Sequence, residues 1–270
     1  MLVSEMMLQQ TQVSRVVPRW ADFLERFPTP EACASAAVGD VVRAWAGLGY
    51  NRRAVSLHRT AAAVHEHHGG RVPADLPALL SLPGVGPYVA RAVQAFAFEA
   101  DVGVLDTNAA RVLARAVAGR RLGTRAEAQA MADSVVPAGM GWAWNQAVLD
   151  LGALVCTRRR PDCGRCPLAR RAAGERGSCR WEAAGRPAPD PAEGSAGVAG
   201  RQGPFAGSDR QGRGQLVAAL RRSPVPSADL AAAAGWSAAE PDVLRARRIA
   251  DSLVADGLAV VGTDGSLRLA

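Results

Sequence analysis

Up to about residue 182 the apolar positions recur at helical spacing, and no stretch alternates like a half-buried strand. Residues 42–55, 109–117 and 146–156 each carry such an apolar stripe. A further run, 88–98, is apolar enough for a buried helix, and the helix before it is predicted to end near Leu80-Ser81. From 183 to about 213 the periodicity disappears and Gly, Pro, Ala and Ser dominate, which predicts a linker. Beyond it, 215–221, 227–235 and 244–255 read as helices. Residues 258–261 and 267–269 flank Gly262-Thr263-Asp264-Gly265, the signal of a hairpin turn.

Between two of the predicted helices lies Leu82-Pro83-Gly84-Val85-Gly86-Pro87-Tyr88. Two glycines around one apolar residue let successive N–H groups converge, and a helix starting near Pro87 aims its positive dipole at the same point. Pro-Gly alone is an ordinary turn between core helices. The intact Leu-Pro-Gly-Val-Gly run predicts instead a grip on a phosphate oxygen at Gly84, Val85 and Gly86, which holds DNA without reading its sequence. Farther on, Val104-Leu105-Asp106-Thr107-Asn108 places a carboxylate at the start of the next helix.

Charge adds a partner class. Basic residues number 32 against 25 acidic ones, a net charge of +7 that suits a polyanion. Every one of the 32 is arginine, so lysine chemistry is excluded. Clusters such as Arg158-Arg159-Arg160 and Arg170-Arg171 read singly as solvated faces. No stretch is long and apolar enough to span a membrane, and the first residues carry Glu5 in place of a basic leader, so a cytoplasmic protein is expected. Among the cysteines, Cys156, Cys163 and Cys166 are separated by six and two residues, and Cys179 follows after twelve. Such clustering predicts a metal site. Four thiolates hold either zinc or a [4Fe-4S] cluster, and the absence of two close pairs favours iron–sulfur. Cys33, in an alanine-rich segment, reads as a small core residue.

Six ordered blocks now come together: Ser4-Glu5-Met6-Met7-Leu8-Gln9-Gln10-Thr11-Gln12-Val13, Gly47-Leu48-Gly49-Tyr50, the glycine hairpin, Leu105-Asp106-Thr107-Asn108, Arg111-Val112-Leu113-Ala114-Arg115, and Trp144-Asn145-Gln146-Ala147 leading into the cysteines. Residues 2 to about 182 thereby resemble the A/G-specific adenine DNA glycosylases of the endonuclease III superfamily. The resemblance implies a mainly α fold. Residues 1–105 would form a six-helix barrel with a helix-hairpin-helix, apparently truncated at its start because family members carry further residues ahead. Residues 106–182 would form an iron-sulfur cluster domain, 183–213 a linker, and 214–270 a winged-helix-like module where the best-known members carry a Nudix-like domain. Cys156, Cys163, Cys166 and Cys179 would hold a [4Fe-4S] cluster, with an inserted loop in the last gap. The implied partner is double-stranded DNA with a flipped adenine, bound by a monomer in the bacterial nucleoid.

Roles follow from the same resemblance. Glu5 matches the general acid that protonates adenine N7, a task that needs a carboxyl raised in pKa by burial. Asp106 matches the carboxylate that stabilises the oxocarbenium-like sugar and should stay ionised. Asn108 matches its polar support. Gln10 and Tyr50 match residues that wedge into the duplex where stacking is lost, and Gln146 lines the adenine pocket. Tyr88 stands where relatives that also cut the backbone carry a nucleophilic lysine, which implies a monofunctional glycosylase. Taken singly, Glu5 reads as a helix-start charge, Asp106 as an N-cap and a tyrosine as a packed side chain. The expected substrate is adenine opposite 8-oxoguanine or guanine; a thymine or uracil mismatch glycosylase and a non-catalytic DNA-binding relative are the alternatives.

Overall fold

A computed structural model describes residues 1–169, 177–198 and 203–270; Arg170 and Arg171 lie outside them. The chain forms two compact units, one made of 1–85 with 203–270 and one of 86–202. The division falls inside the glycine hairpin.

In the first unit, α1 (Leu2–Leu8), α2 (Val13–Arg26), α3 (Pro30–Ser35), α4 (Val38–Ala44), α5 (Arg52–His68) and α6 (Leu76–Ser81) follow in order. Side chains start two of them: Thr29 caps α3 and Asp75 caps α6, each with proline in the first turn. The apolar stripe expected over 42–55 is broken, because α4 stops at Ala44 and α5 begins only at Arg52. Between them Gly47, Gly49 and Tyr50 take positive φ angles of 87°, 71° and 44°, which no helix accommodates. The apolar positions there are nonetheless buried, Trp45 completely and Leu48 almost so, and periodicity alone does not distinguish a buried loop from a helix.

The C-terminal residues complete this unit as α12 (Asp209–Leu220), a 3₁₀ turn (Ser227–Asp229), α13 (Leu230–Ala233), α14 (Glu240–Ala255) and a hairpin of β1 (Ala259–Val261) and β2 (Leu267–Leu269). The strands pair antiparallel with Val260 opposite Arg268, as the turn signal predicts. Arg221 donates to the Val42 carbonyl (3.1 Å) and to Asn51 Oδ1 (2.7 Å), and the Gly39 N–H donates to the Ala270 carbonyl (2.6 Å).

The second unit runs through α7 (Pro87–Ala97), α8 (Thr107–Val112), α9 (Arg125–Ser134), α10 (Gly141–Asp150) and the short α11 (Arg180–Ala183). Both α8 and α10 loosen into a π-helical turn, at Leu113–Ala118 and Leu151–Val155. Within the stretch expected as a linker, 183–189 and 203–207 are exposed but the part around 190–198 is packed: Ala192 and Ser195 are buried, and Ser195 Oγ accepts from the Leu122 N–H and donates to the Pro191 carbonyl. Small residues let this segment lie flat against the helices without any periodic pattern, so composition conceals the packing. Among the described residues no helix is long and apolar enough to cross a membrane.

Candidate active site

Each candidate residue falls within one of the two units. Glu5, Gln10, Tyr50, Gly84 and Val85 belong to the first; Gly86, Tyr88, Asp106, Asn108, Gln146 and the four clustered cysteines belong to the second.

In the first unit, Glu5 lies on α1 beside Met6 and Met7 and is only 6% exposed. Burial among apolar neighbours is the setting that a carboxyl acting as an acid requires. Gln10 and Tyr50 both stand in left-handed backbone conformations, and both are exposed. The hairpin is tightly seated. Gly84 has φ of 78°, and a Cβ there would meet Ser56 Cβ at 2.5 Å, so both torsion and space demand glycine. Val85 is buried and its N–H donates to the Leu82 carbonyl (3.1 Å).

Gly86 is the residue before α7, whose N-terminus Pro87 occupies. Tyr88 follows on that helix and packs partly against the buried Ala92, Ala95, Phe96 and Val104. Asp106 is indeed an N-cap: Oδ1 accepts from the N–H groups of Asn108 and Ala109, both at 2.7 Å. Its other oxygen accepts from Asn108 Nδ2 at 2.8 Å. The Asn108 amide has only one admissible orientation. Arg111 Nη2 donates to Asn108 Oδ1 at 2.8 Å, and since arginine offers donors alone, the amide must present Nδ2 to Asp106. The Asn108 side chain therefore donates to the carboxylate, as the two N–H groups do. Burial pushes the Asp106 pKa above the usual aspartate value, while the Ala109 and Asn108 N–H groups, the Asn108 side chain and the Arg111 charge pull it back. One carboxylate oxygen thus caps the helix and the other is held by the Asn108 side chain.

Residues without an assigned role hold this arrangement. Arg111, 6% exposed, also donates to the carbonyls of Thr107 (2.9 Å), Gly152 (2.6 Å) and Cys156 (3.2 Å). Gly152 admits α8 closely, since a Cβ there would lie 2.7 Å from Asn108 Cβ. Asn145, 3% exposed, accepts from the Val104 N–H (2.8 Å) and donates to the carbonyls of Val102 (2.8 Å) and Gly141 (2.7 Å), fixing the approach to Asp106. Gln146 is its half-buried neighbour on α10. The sequence blocks contain Arg111 and Asn145, but only their burial separates them from surface arginines and amides.

Cys156, Cys163, Cys166 and Cys179 are all free thiols lining one small pocket, with Leu151, Leu168 and Trp181 among its walls. Burial pushes the Cys156 and Cys179 thiols up, and the Arg115 guanidinium, whose Nη1 donates to Cys156 Sγ (3.4 Å), opposes that at Cys156. Among the described residues no three Cys, His, Asp or Glu converge closely enough for a single metal ion. The four thiols share the lining of that one pocket with Arg115 and apolar side chains.

Comparison with known proteins supplies the family. The model of the HhH-GPD superfamily base excision DNA repair proteins matches residues 3–137. An adenine DNA glycosylase of Mycolicibacterium smegmatis is 43% identical over 272 residues, spanning 100% of this chain and 86% of that protein. One from Mycobacterium tuberculosis is 42% identical over 276 residues, spanning 99% and 84%. Among solved structures, a thermostable thymine-DNA glycosylase aligns with a TM-score of 0.56 at 28% identity, over 61% of this chain and 78% of its own. A trapped endonuclease III–DNA covalent intermediate aligns with a TM-score of 0.60 over 68% and 84%, and its 23% identity speaks for the fold alone. The chain thus belongs to the HhH-GPD superfamily of base excision DNA repair enzymes, among its adenine DNA glycosylases.

Proposed function

We propose that the protein is a monofunctional glycosylase that hydrolyses the N-glycosidic bond of adenine mispaired with 8-oxoguanine or guanine. The observation that carries this is Asp106, whose free-edge oxygen is held by an Asn108 amide that Arg111 orients. In the proposed reaction Glu5 gives its proton to adenine N7, the C1′–N9 bond breaks with its electron pair leaving on the base, and Asp106 shields the sugar cation until water adds. Gly84, Val85 and Gly86 hold a phosphate, Gln10 and Tyr50 fill the space left by the flipped nucleotide, and Gln146 lines the base pocket. Because Tyr88 replaces lysine and the chain contains none, no Schiff base forms from a lysine side chain.

The same reading takes 1–105 as the barrel, 106–182 as the cluster domain and 214–270 as a winged-helix-like module. Cys156, Cys163, Cys166 and Cys179 would hold a [4Fe-4S] cluster, which when bound supplies a rigid thiolate cross-link rather than chemistry on the base. Arg115 supports that loop from below, donating to the Thr157 (2.8 Å) and Arg158 (3.1 Å) carbonyls while paired with Asp190.

The test is a single-turnover assay on duplexes carrying adenine opposite 8-oxoguanine, adenine opposite guanine, and thymine or uracil opposite guanine. Release of adenine, with strand scission only after alkali, is expected; excision confined to the pyrimidine mismatches, or none on any duplex, would overturn the proposal.

A further inference from the structure

Two segments far apart in sequence carry the proposed wedge residues, and one side chain joins them. Arg53, in the first turn of α5, directs Nη1 at the carbonyls of Met6 (2.9 Å), Met7 (2.8 Å) and Gln9 (2.6 Å), the open C-terminal end of α1. Its Nη2 donates to Thr11 Oγ1 (3.0 Å) and to the carbonyls of Leu48 (3.1 Å) and Gly49 (3.0 Å). The guanidinium also lies 5.6 Å from the Tyr50 ring centroid and 5.3 Å from that of Trp45. Gln10 sits between the first set of acceptors and Thr11; Tyr50 directly follows the second. Thr11 Oγ1 closes the ring by donating to the Leu48 carbonyl (3.0 Å).

Gln10 and Tyr50 have φ angles of 56° and 44°. For residues other than glycine that conformation costs on the order of 1 to 3 kcal/mol, and it persists only where the surroundings over-determine it. A planar fork with donors on several edges meets acceptors on both segments at once, which the single ammonium of a lysine does not. Burial lowers the Arg53 pKa to about 10, so the side chain remains charged at neutral pH.

We propose that Arg53 is a positioning residue that fixes Gln10 and Tyr50 as one preassembled wedge, so that unstacking of the target nucleotide depends on it although it touches no part of the reacting base. The inference rests on the wedge roles given to Gln10 and Tyr50 above.

The test uses the full chain with Arg53→Lys and Arg53→Met, each alone and combined with Gln10→Ala and Tyr50→Ala. One duplex carries 2-aminopurine beside an adenine opposite 8-oxoguanine, and a second carries the adenine already extruded in a bulge. Misplacing the wedge should slow excision of the paired adenine by on the order of tenfold to a hundredfold. The 2-aminopurine signal should fall in parallel, the bulged adenine should be cleaved at nearly the wild-type rate, and the Arg53 changes should add nothing once Gln10 and Tyr50 are alanine. Equal slowing on both substrates, or fully additive slowing in the alanine background, overturns the proposal. Should the wild-type chain excise no adenine, the unstacking signal decides alone: Arg53-dependent unstacking upholds the wedge and rejects the glycosylase reading, and unstacking that is absent or independent of Arg53 rejects the wedge. Thr11→Val, which removes the bonds that its hydroxyl makes with Arg53 and Leu48 but leaves those from Arg53 to the backbone carbonyls, keeps the measurement readable if the Arg53 variants unfold; a smaller effect in the same direction is expected, and none at all would count against the proposal.

Discussion

At the scale of single residues, Asp106 joins a helix-capping duty to the chemical one proposed for it, and substitution separates them. Asparagine caps a helix as well as aspartate, so Asp106→Asn should keep α8 while lowering the excision rate by on the order of a thousandfold. Single-turnover kinetics beside thermal melting checks both halves. The raised pKa has opposite consequences for stability and for rate. In the interval between the ordinary aspartate value and the raised one, the folded protein holds a proton that the unfolded chain has released, so stability falls as pH rises through that interval. Excision needs the ionised form and should rise through the same interval, placing the acid limb of its pH profile above the ordinary aspartate range. A limb at or below that range would show that burial does not govern this carboxylate. That Asp106 caps a helix was legible from Asp-Thr-Asn; that Arg111 orients its partner was not, because an arginine in a helical stripe reads as solvated until its burial is known.

At the scale of elements, close approach of backbones decides where side chains stand. Gly152→Ala would drive a methyl group against Asn108, and Gly84→Ala would combine a similar clash at Ser56 with an unfavourable torsion. Each should cost about 1 to 3 kcal/mol in melting experiments, but the functional losses should differ. Gly152→Ala is expected to slow excision at saturating enzyme with little change in DNA affinity, since it displaces Asn108. Gly84→Ala is expected to weaken binding and flatten its salt dependence, since a phosphate contact is lost. The glycine hairpin and the terminal β-hairpin were plain in the sequence because local turn chemistry writes both. The interruption between α4 and α5 was hidden, because Trp45 and Leu48 are buried in a loop as they would be in a helix.

Across the whole molecule, long-range ion pairs and hydrogen bonds tie late segments to early ones. Arg115 is 1% exposed and pairs with Asp190 at 2.5 Å, seventy-five positions along the chain. Asp190→Ala leaves that guanidinium buried without its carboxylate and should destabilise the second unit by about 3 kcal/mol, measurable by denaturant unfolding. Loss of Asp190 should also make the iron of the proposed cluster easier to remove by chelation, because Arg115 donates to the carbonyls of Thr157 and Arg158 just after Cys156. Iron and acid-labile sulfide content of the purified chain, compared with Cys163→Ser, tests the cluster itself; full occupancy in the serine variant would count against that ligand set.

The sequence by itself determined what local rules can write: helical periodicity through most of the chain, the turn chemistry of two hairpins, the cysteine cluster and the ordered blocks that mark the superfamily. Those features depend on neighbours a few residues apart, so no fold is needed to read them. Only the tertiary structure decided that Arg53, Arg111, Arg115 and Asn145 are internal props rather than surface charges and amides, and that the small-residue stretch around Ala192 is packed. Whether a polar side chain is solvated or buried among backbone carbonyls depends on segments dozens of residues away, and the energy that holds it there comes from desolvation and satisfied hydrogen bonds that exist only once those segments meet.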